Sequence, residues 1–137
     1  MIYILINAAA IFAATLASFF FGAGYYRLAE RFERMATDLS PAKLLPLVAL
    51  AFVAEFWFAT ILASALILAP SEAGRWTMAL GSAVVIWLGF IVPVLVVTYR
   101  YRKLPAHAAL ADCGHWLGAM IVQAMVLQSI GLQAPSA

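Results

Sequence analysis

Four side chains of this sequence have the types and spacing to do chemistry: Glu55, Asp112, His115 and Gln123. Glu55 lies about 11 residues into an apolar stretch that opens near Leu44, roughly 17 Å deep at ~1.5 Å per helical residue. An ionisable group at the middle of a bilayer costs at least about 2.5–3.5 kcal/mol. It must therefore face other helices, find a partner or be neutral. Ala51, Ala59 and Ala63 share its i, i+4 stripe, and small residues mark a close helix contact. Asp112, His115, Ala119 and Gln123 follow one another at i, i+3, i+7 and i+11, one face of a second helix. His115 lies about ten residues after Pro105, roughly 15 Å in. Glu55 and His115 are thus expected at similar depth. A hydrogen bond between them would share a proton, with Asp112 orienting the imidazole from i−3. The competing reading is interhelical glue, with polar bonds worth about 0.6 kcal/mol each on average. No metal site is expected, because Glu, Asp and one deep His lack a ligand spacing. His107 is read as interfacial.

A second set of residues could shape a pocket. Trp57, Trp87 and Trp116 all fall near mid-span, whereas tryptophan usually prefers the membrane interface. They would line a site for an apolar ring or tail, such as a quinone, a pigment or a lipid, or else form a packed aromatic core. Gly89 and Pro93 belong to the segment GFIVP. Pro93 removes the N–H that would bond the Gly89 carbonyl, so a kinked helix with one free carbonyl is expected there. That kink is either a binding notch or a packing device.

The elements that carry these residues follow from composition. Of 137 residues, 66% are hydrophobic and 10% charged, against roughly 45–50% and 25% in soluble domains. A soluble domain this small cannot hide that much apolar surface, and disorder needs the opposite composition. An all-α membrane protein remains: one domain, residues 1–137, with four transmembrane helices at about 2–26, 44–69, 76–99 and 106–130. Short connectors imply an antiparallel four-helix bundle. The first stretch is read as a retained helix, since no basic residue precedes Arg27 and its apolar run exceeds that of a signal peptide. Ser40–Pro41, Ser71 and Pro105 read as helix starts. Arg27–Met35 reads as a solvated extension of the first helix or a surface-lying segment. Ala10, Ala14, Ser18 and Gly22, and Gly114 with Gly118, form small-residue stripes for close approach.

The net charge of +2 is too weak and scattered for nucleic-acid binding. The single cysteine, Cys113, excludes a disulfide within the chain. Seven of the eight basic residues lie in the first and third connectors and one, Arg75, in the second. The basic loops are expected in the cytoplasm, with both termini on the opposite face. Lys43–Trp57 and Lys103–Trp116 each open a helix and end on an ionisable residue before Trp, a faint parallel repeat of the kind some transporters have.

Two longer segments, FGAGYYRLAERF (Phe21–Phe32) and GFIVPVLVVTYRYRKLPAHAALADCGHWL (Gly89–Leu117), resemble the bacterial family catalogued as domain of unknown function 1761. The resemblance covers nearly the whole chain. It implies a small protein of four spans and supplies no catalytic residues; with the loop charges, it reads as a protein of a bacterial inner membrane with both termini periplasmic. Two function classes follow. The first is a structural or accessory subunit packing in a homo-oligomer or a larger membrane complex, and not an enzyme. The second is a small carrier or membrane enzyme for a proton-coupled or apolar ligand, working through Glu55, Asp112 and His115. A polar cavity joining these side chains would favour the second class, and a dry interior the first.

Overall fold

The computed structural model describes residues 2–29, 41–70 and 74–134. Four long helices dominate it: α1 (Ala8–Ala29), α2 (Pro41–Ile67), α3 (Arg75–Tyr101) and α4 (Ala106–Ile130). Each contains a stretch long and apolar enough to cross a membrane. A short helical turn, Ile2–Ile6, precedes α1. The hydrogen-bond ladder runs on through Asn7, whose N–H bonds Tyr3 O and whose carbonyl receives Ile11 N–H. Ser40, Ser71 and most of the Arg27–Met35 extension lie outside the described residues.

Helix boundaries follow local chemistry. Pro105 occupies extended backbone just before α4, at φ −67° and ψ 144°, where its missing N–H leaves no ladder position empty. Gly131 ends α4 at φ +86°, a conformation that favours glycine, and its N–H bonds Leu127 O at 3.0 Å. Within α3, the turn that precedes Pro93 is a five-residue π-helix, Trp87–Ile91. Val92 N–H reaches back five residues to Trp87 O. Pro93 then stands in the first turn of the following α segment, Val92–Tyr101, where a missing N–H is tolerated.

Small residues occupy the interior and large ones the periphery. Ala14, Ala59, Ala63, Ala79, Ala83, Ala119 and Ala124 are fully buried, joined by Ile11, Leu62, Met120 and Leu127. Leu5, Phe20, Leu50, Val85 and Phe90 point outward. Helices without a hydrophobic drive between them associate through such close backbone approach. Helix α4 is central: it packs against α1, α2 and α3 and buries eight of its residues. Helix α1 lies beside α4 in the opposite direction, as the pairs Asn7–Gln133, Ser18–Gln123 and Tyr26–Asp112 show. Helix α3 is peripheral and buries only Ala79 and Ala83.

The glycines of the α1–α4 seam admit side chains from across it. A Cβ at Gly22 would stand 2.7 Å from His115 Nε2, and one at Gly118 would run into the Phe21 ring. The seam is tight elsewhere too. Ala14→Leu should overpack it and cost about 1–3 kcal/mol. Gly81→Leu, added where nothing lies within 4 Å of a new Cβ, should change stability far less. Thermal unfolding in detergent measures both.

Candidate functional site

The site begins with a serine. Ser18 is fully buried on the small-residue face of α1, one turn from Gly22. Its hydroxyl donates to Glu55 Oε2 at 2.6 Å, and Thr15 O lies 3.1 Å away as a weaker acceptor. From α4, Gln123 Nε2 reaches Glu55 Oε2 at 2.8 Å, Glu55 O at 3.0 Å and Ser18 Oγ at 2.9 Å. Two amide hydrogens thus serve three acceptors, while Gln123 Oε1 is buried with no partner among the described residues. One carboxyl oxygen therefore joins α1, α2 and α4. Glu55 is 3% exposed. Among the described residues no donor reaches its other oxygen, and no cationic side chain bonds it.

That second oxygen belongs to a residue lining a cleft of about 810 Å³. Helix α1 supplies Phe19, Gly22, Ala23, Tyr26 and Arg27. Helix α2 supplies Leu44, Leu47, Val48, Leu50, Ala51, Ala54 and Glu55, and α4 supplies His115 and Trp116. The walls are apolar and partly aromatic. One end carries Arg27 and the other Glu55. The cleft exists because Ala51, unlike Ala59 and Ala63 on the same stripe, is not covered by a neighbouring helix. A second groove of about 510 Å³, between α2 and α3, carries no ionisable side chain.

His115 lines the cleft but does not bond Glu55, so the expected Glu–His bond is replaced by the Ser18 and Gln123 bonds. The reason is register. Along α4 the residue that bonds Glu55 is Gln123, eight residues or about 12 Å of helix beyond His115. Along α1, Ser18, which meets Glu55, likewise stands one turn from Gly22, which meets His115. The imidazole is instead held by rings. Tyr26 lies at 4.6 Å, Trp116 at 5.1 Å, Tyr25 at 5.6 Å and a stacked Phe21 at 6.4 Å between centroids. His115 Nδ1 is buried with no hydrogen-bond partner among the described residues.

Asp112 is likewise occupied elsewhere. It accepts hydrogen bonds from Tyr26 Oη at 2.9 Å and from Tyr99 Oη, so it ties α1 and α3 to α4 and does not orient His115. Tyr25 Oη donates to Ala111 O and Trp87 Nε1 to Cys113 O, both onto the same stretch of α4. Of the expected pocket residues, only Trp116 lines the cleft. Trp57 is 64% exposed, Trp87 is a strut between α3 and α4, and Gly89 and Pro93 face outward. Mid-span tryptophans on an outer face meet lipid chains, which counting depth alone does not distinguish from a pocket. Ser18, Tyr26 and Arg27 were not singled out by sequence as site residues. Ser18 was legible only as a small residue, though its hydroxyl on the Ala10–Gly22 stripe was a signal.

The junction makes a stability prediction. Gln123→Leu leaves Ser18 and Glu55 short of a buried donor and should cost about 1–3 kcal/mol. Glu55→Gln should retain the fold, since an amide accepts from Ser18 and has the same size. Glu55→Leu should behave like Gln123→Leu. Unfolding midpoints and gel-filtration profiles in a mild detergent separate the three.

No curated protein and no solved structure matches the chain. Residues 9–128 match the family described as "Protein of unknown function (DUF1761)", which accounts for all four apolar helices and for every residue of the junction and the cleft. With the match spanning most of its 137 residues, the chain belongs to that family.

Proposed function

We propose that this membrane protein binds an amphipathic, bilayer-soluble ligand in the cleft between α1, α2 and α4, as a small carrier or as the ligand-binding part of a membrane enzyme. The observation that carries this reading is the cleft itself, a volume of about 810 Å³ with apolar walls and a carboxyl at one end. Energetics favour a ligand role for Glu55 over glue. Interhelical bonds average about 0.6 kcal/mol, so those from Ser18 and Gln123 offset less than half of the roughly 2.5–3.5 kcal/mol that a mid-membrane carboxyl costs. A neutral polar residue at 55 would join the helices at lower cost. The volume accommodates the head of a quinone, a pigment ring or a lipid chain.

Native mass spectrometry of gently extracted protein tests the reading. A retained small molecule is expected on the wild type and on Trp57→Leu, whose side chain faces lipid. It should be absent from Ala51→Trp, which fills the cleft. Retention unchanged by Ala51→Trp would sink the proposal. The same spectra count subunits. The accessory-subunit reading expects a homo-oligomer or co-purifying membrane proteins, with protein covering the outer faces of α3.

The placement in a bacterial inner membrane, with both termini periplasmic, rests on the loop charges, seven of eight basic residues lying in the first and third connectors. Alkaline phosphatase fused after Ala137 should be active and fused after Arg102 inactive. The reverse pattern would invert the topology.

A further inference from the structure

We propose that the cleft's ligand is a lipophilic organic cation, and that it exchanges with a proton at Glu55. The inference rests on the ligand-binding reading and specifies its chemistry. Glu55 Oε2 is held by two neutral donors, Ser18 Oγ and Gln123 Nε2. Among the described residues nothing bonds Oε1, and no cationic side chain neutralises the carboxyl. An isolated carboxylate in an apolar interior is too costly to persist unpaired. The positive charge must therefore arrive either as a proton on Glu55 itself or on the molecule that fills the cleft.

The walls suit the second carrier of charge. Aromatic faces attract cations, and Phe19, Tyr26 and Trp116 line the cleft together with aliphatic side chains of α2. A compact, strongly hydrated cation finds few polar atoms there, whereas a delocalised one with an aromatic or alkyl envelope matches the lining. The other ionisable groups near the path do not supply the missing charge. His115, from α4, is enclosed by four rings, and its Nδ1 has no partner among the described residues. Asp112 is engaged by Tyr26 and Tyr99. Arg27 stands nine residues beyond Ser18 on α1, about 13 Å away at ~1.5 Å per residue, too far to pair with Glu55. Helix α2 contributes no second ionisable residue to the lining, and α3 contributes none.

The exchange balances simply. The carboxylic acid loses its proton to water, the O–H bond breaks, and the carboxylate pairs with the incoming cation. One positive charge replaces another, so the net charge of the site is unchanged.

Tetraphenylphosphonium and tetraphenylborate test this by charge alone, because they have nearly the same shape. Both are titrated into protein reconstituted in nanodiscs, with empty nanodiscs subtracted and Trp116 quenching as the local readout, checked against Trp116→Phe. Tetraphenylphosphonium should quench Trp116 saturably and tetraphenylborate should not. Its affinity should rise as pH rises, by up to about tenfold per unit while one proton competes, and then level off. A weakly buffered sample should acidify on binding in the rising part of that profile. Glu55→Gln should lose at least about tenfold in affinity and all of the pH dependence, with Glu55→Asp intermediate. If Glu55→Gln fails to fold, the pH profile and the comparison of the two ions on the wild type decide alone. Equal saturable binding of tetraphenylborate, or tetraphenylphosphonium binding independent of pH and of Glu55, overturns the exchange. If the phosphonium does not bind but the retained molecule is still lost in Ala51→Trp, cation specificity fails and the ligand-binding reading stands. If Ala51→Trp changes neither, both fail.

Discussion

The structure depends on one constraint: a carboxyl buried between helices needs hydrogen-bond donors from the chain around it. Ser18 and Gln123 supply donors to a single oxygen of Glu55 and none to the other among the described residues, and in doing so fix the register of α1, α2 and α4 against one another. Other polar side chains sit around this junction. Trp87 and Tyr99 attach α3 to α4, Tyr25 and Tyr26 attach the end of α1 to the start of α4, and Asn7 pairs with the Gln133 backbone at the opposite end. Each of these bonds joins α4, or the segment just after it, to another element.

Packing follows the same solvent logic. In water, outward Phe20, Leu50, Val85 and Phe90 would be a liability, whereas in hydrocarbon they cost nothing and leave the seams to alanine and glycine. Close seams explain why side chains of α1 and α4 interpenetrate at Gly22, Gly114 and Gly118. Where the alanine stripe of α2 loses its cover, at Ala51, the bundle opens into the cleft. Site and core are thus one stripe, continued past the point where another helix covers it.

Hydropathy and loop composition made the four helices legible, because a span of about 20 apolar residues has no other solution in this composition. The polar face of α4 was legible from its spacing, and His115, Ala119 and Gln123 are all buried. The pairing of Glu55 was not legible. It depends on the register of α2 against α1 and α4, which brings Glu55 to Ser18 and Gln123 and not to His115, and counting from a span's edge does not fix that register. The tryptophans were ambiguous for another reason. Depth in a membrane is one-dimensional information, and whether a ring faces lipid or a cleft is set by helix rotation, which the evenly apolar surface of α2 does not encode. The serine of the junction hid inside a pattern of small residues whose packing role it also fulfils.

Helix α4 leaves the ribosome after α1, α2 and α3, and most interhelical hydrogen bonds among the described residues end on it or on the segment just after it. During synthesis, α1 and α2 therefore enter the bilayer with Glu55 offered Ser18 alone, and α3 enters with neither Trp87 nor Tyr99 provided for. The bundle cannot close progressively from its beginning. It closes when α4 arrives beside helices already inserted, so a half-made chain carries its least tolerable group until then.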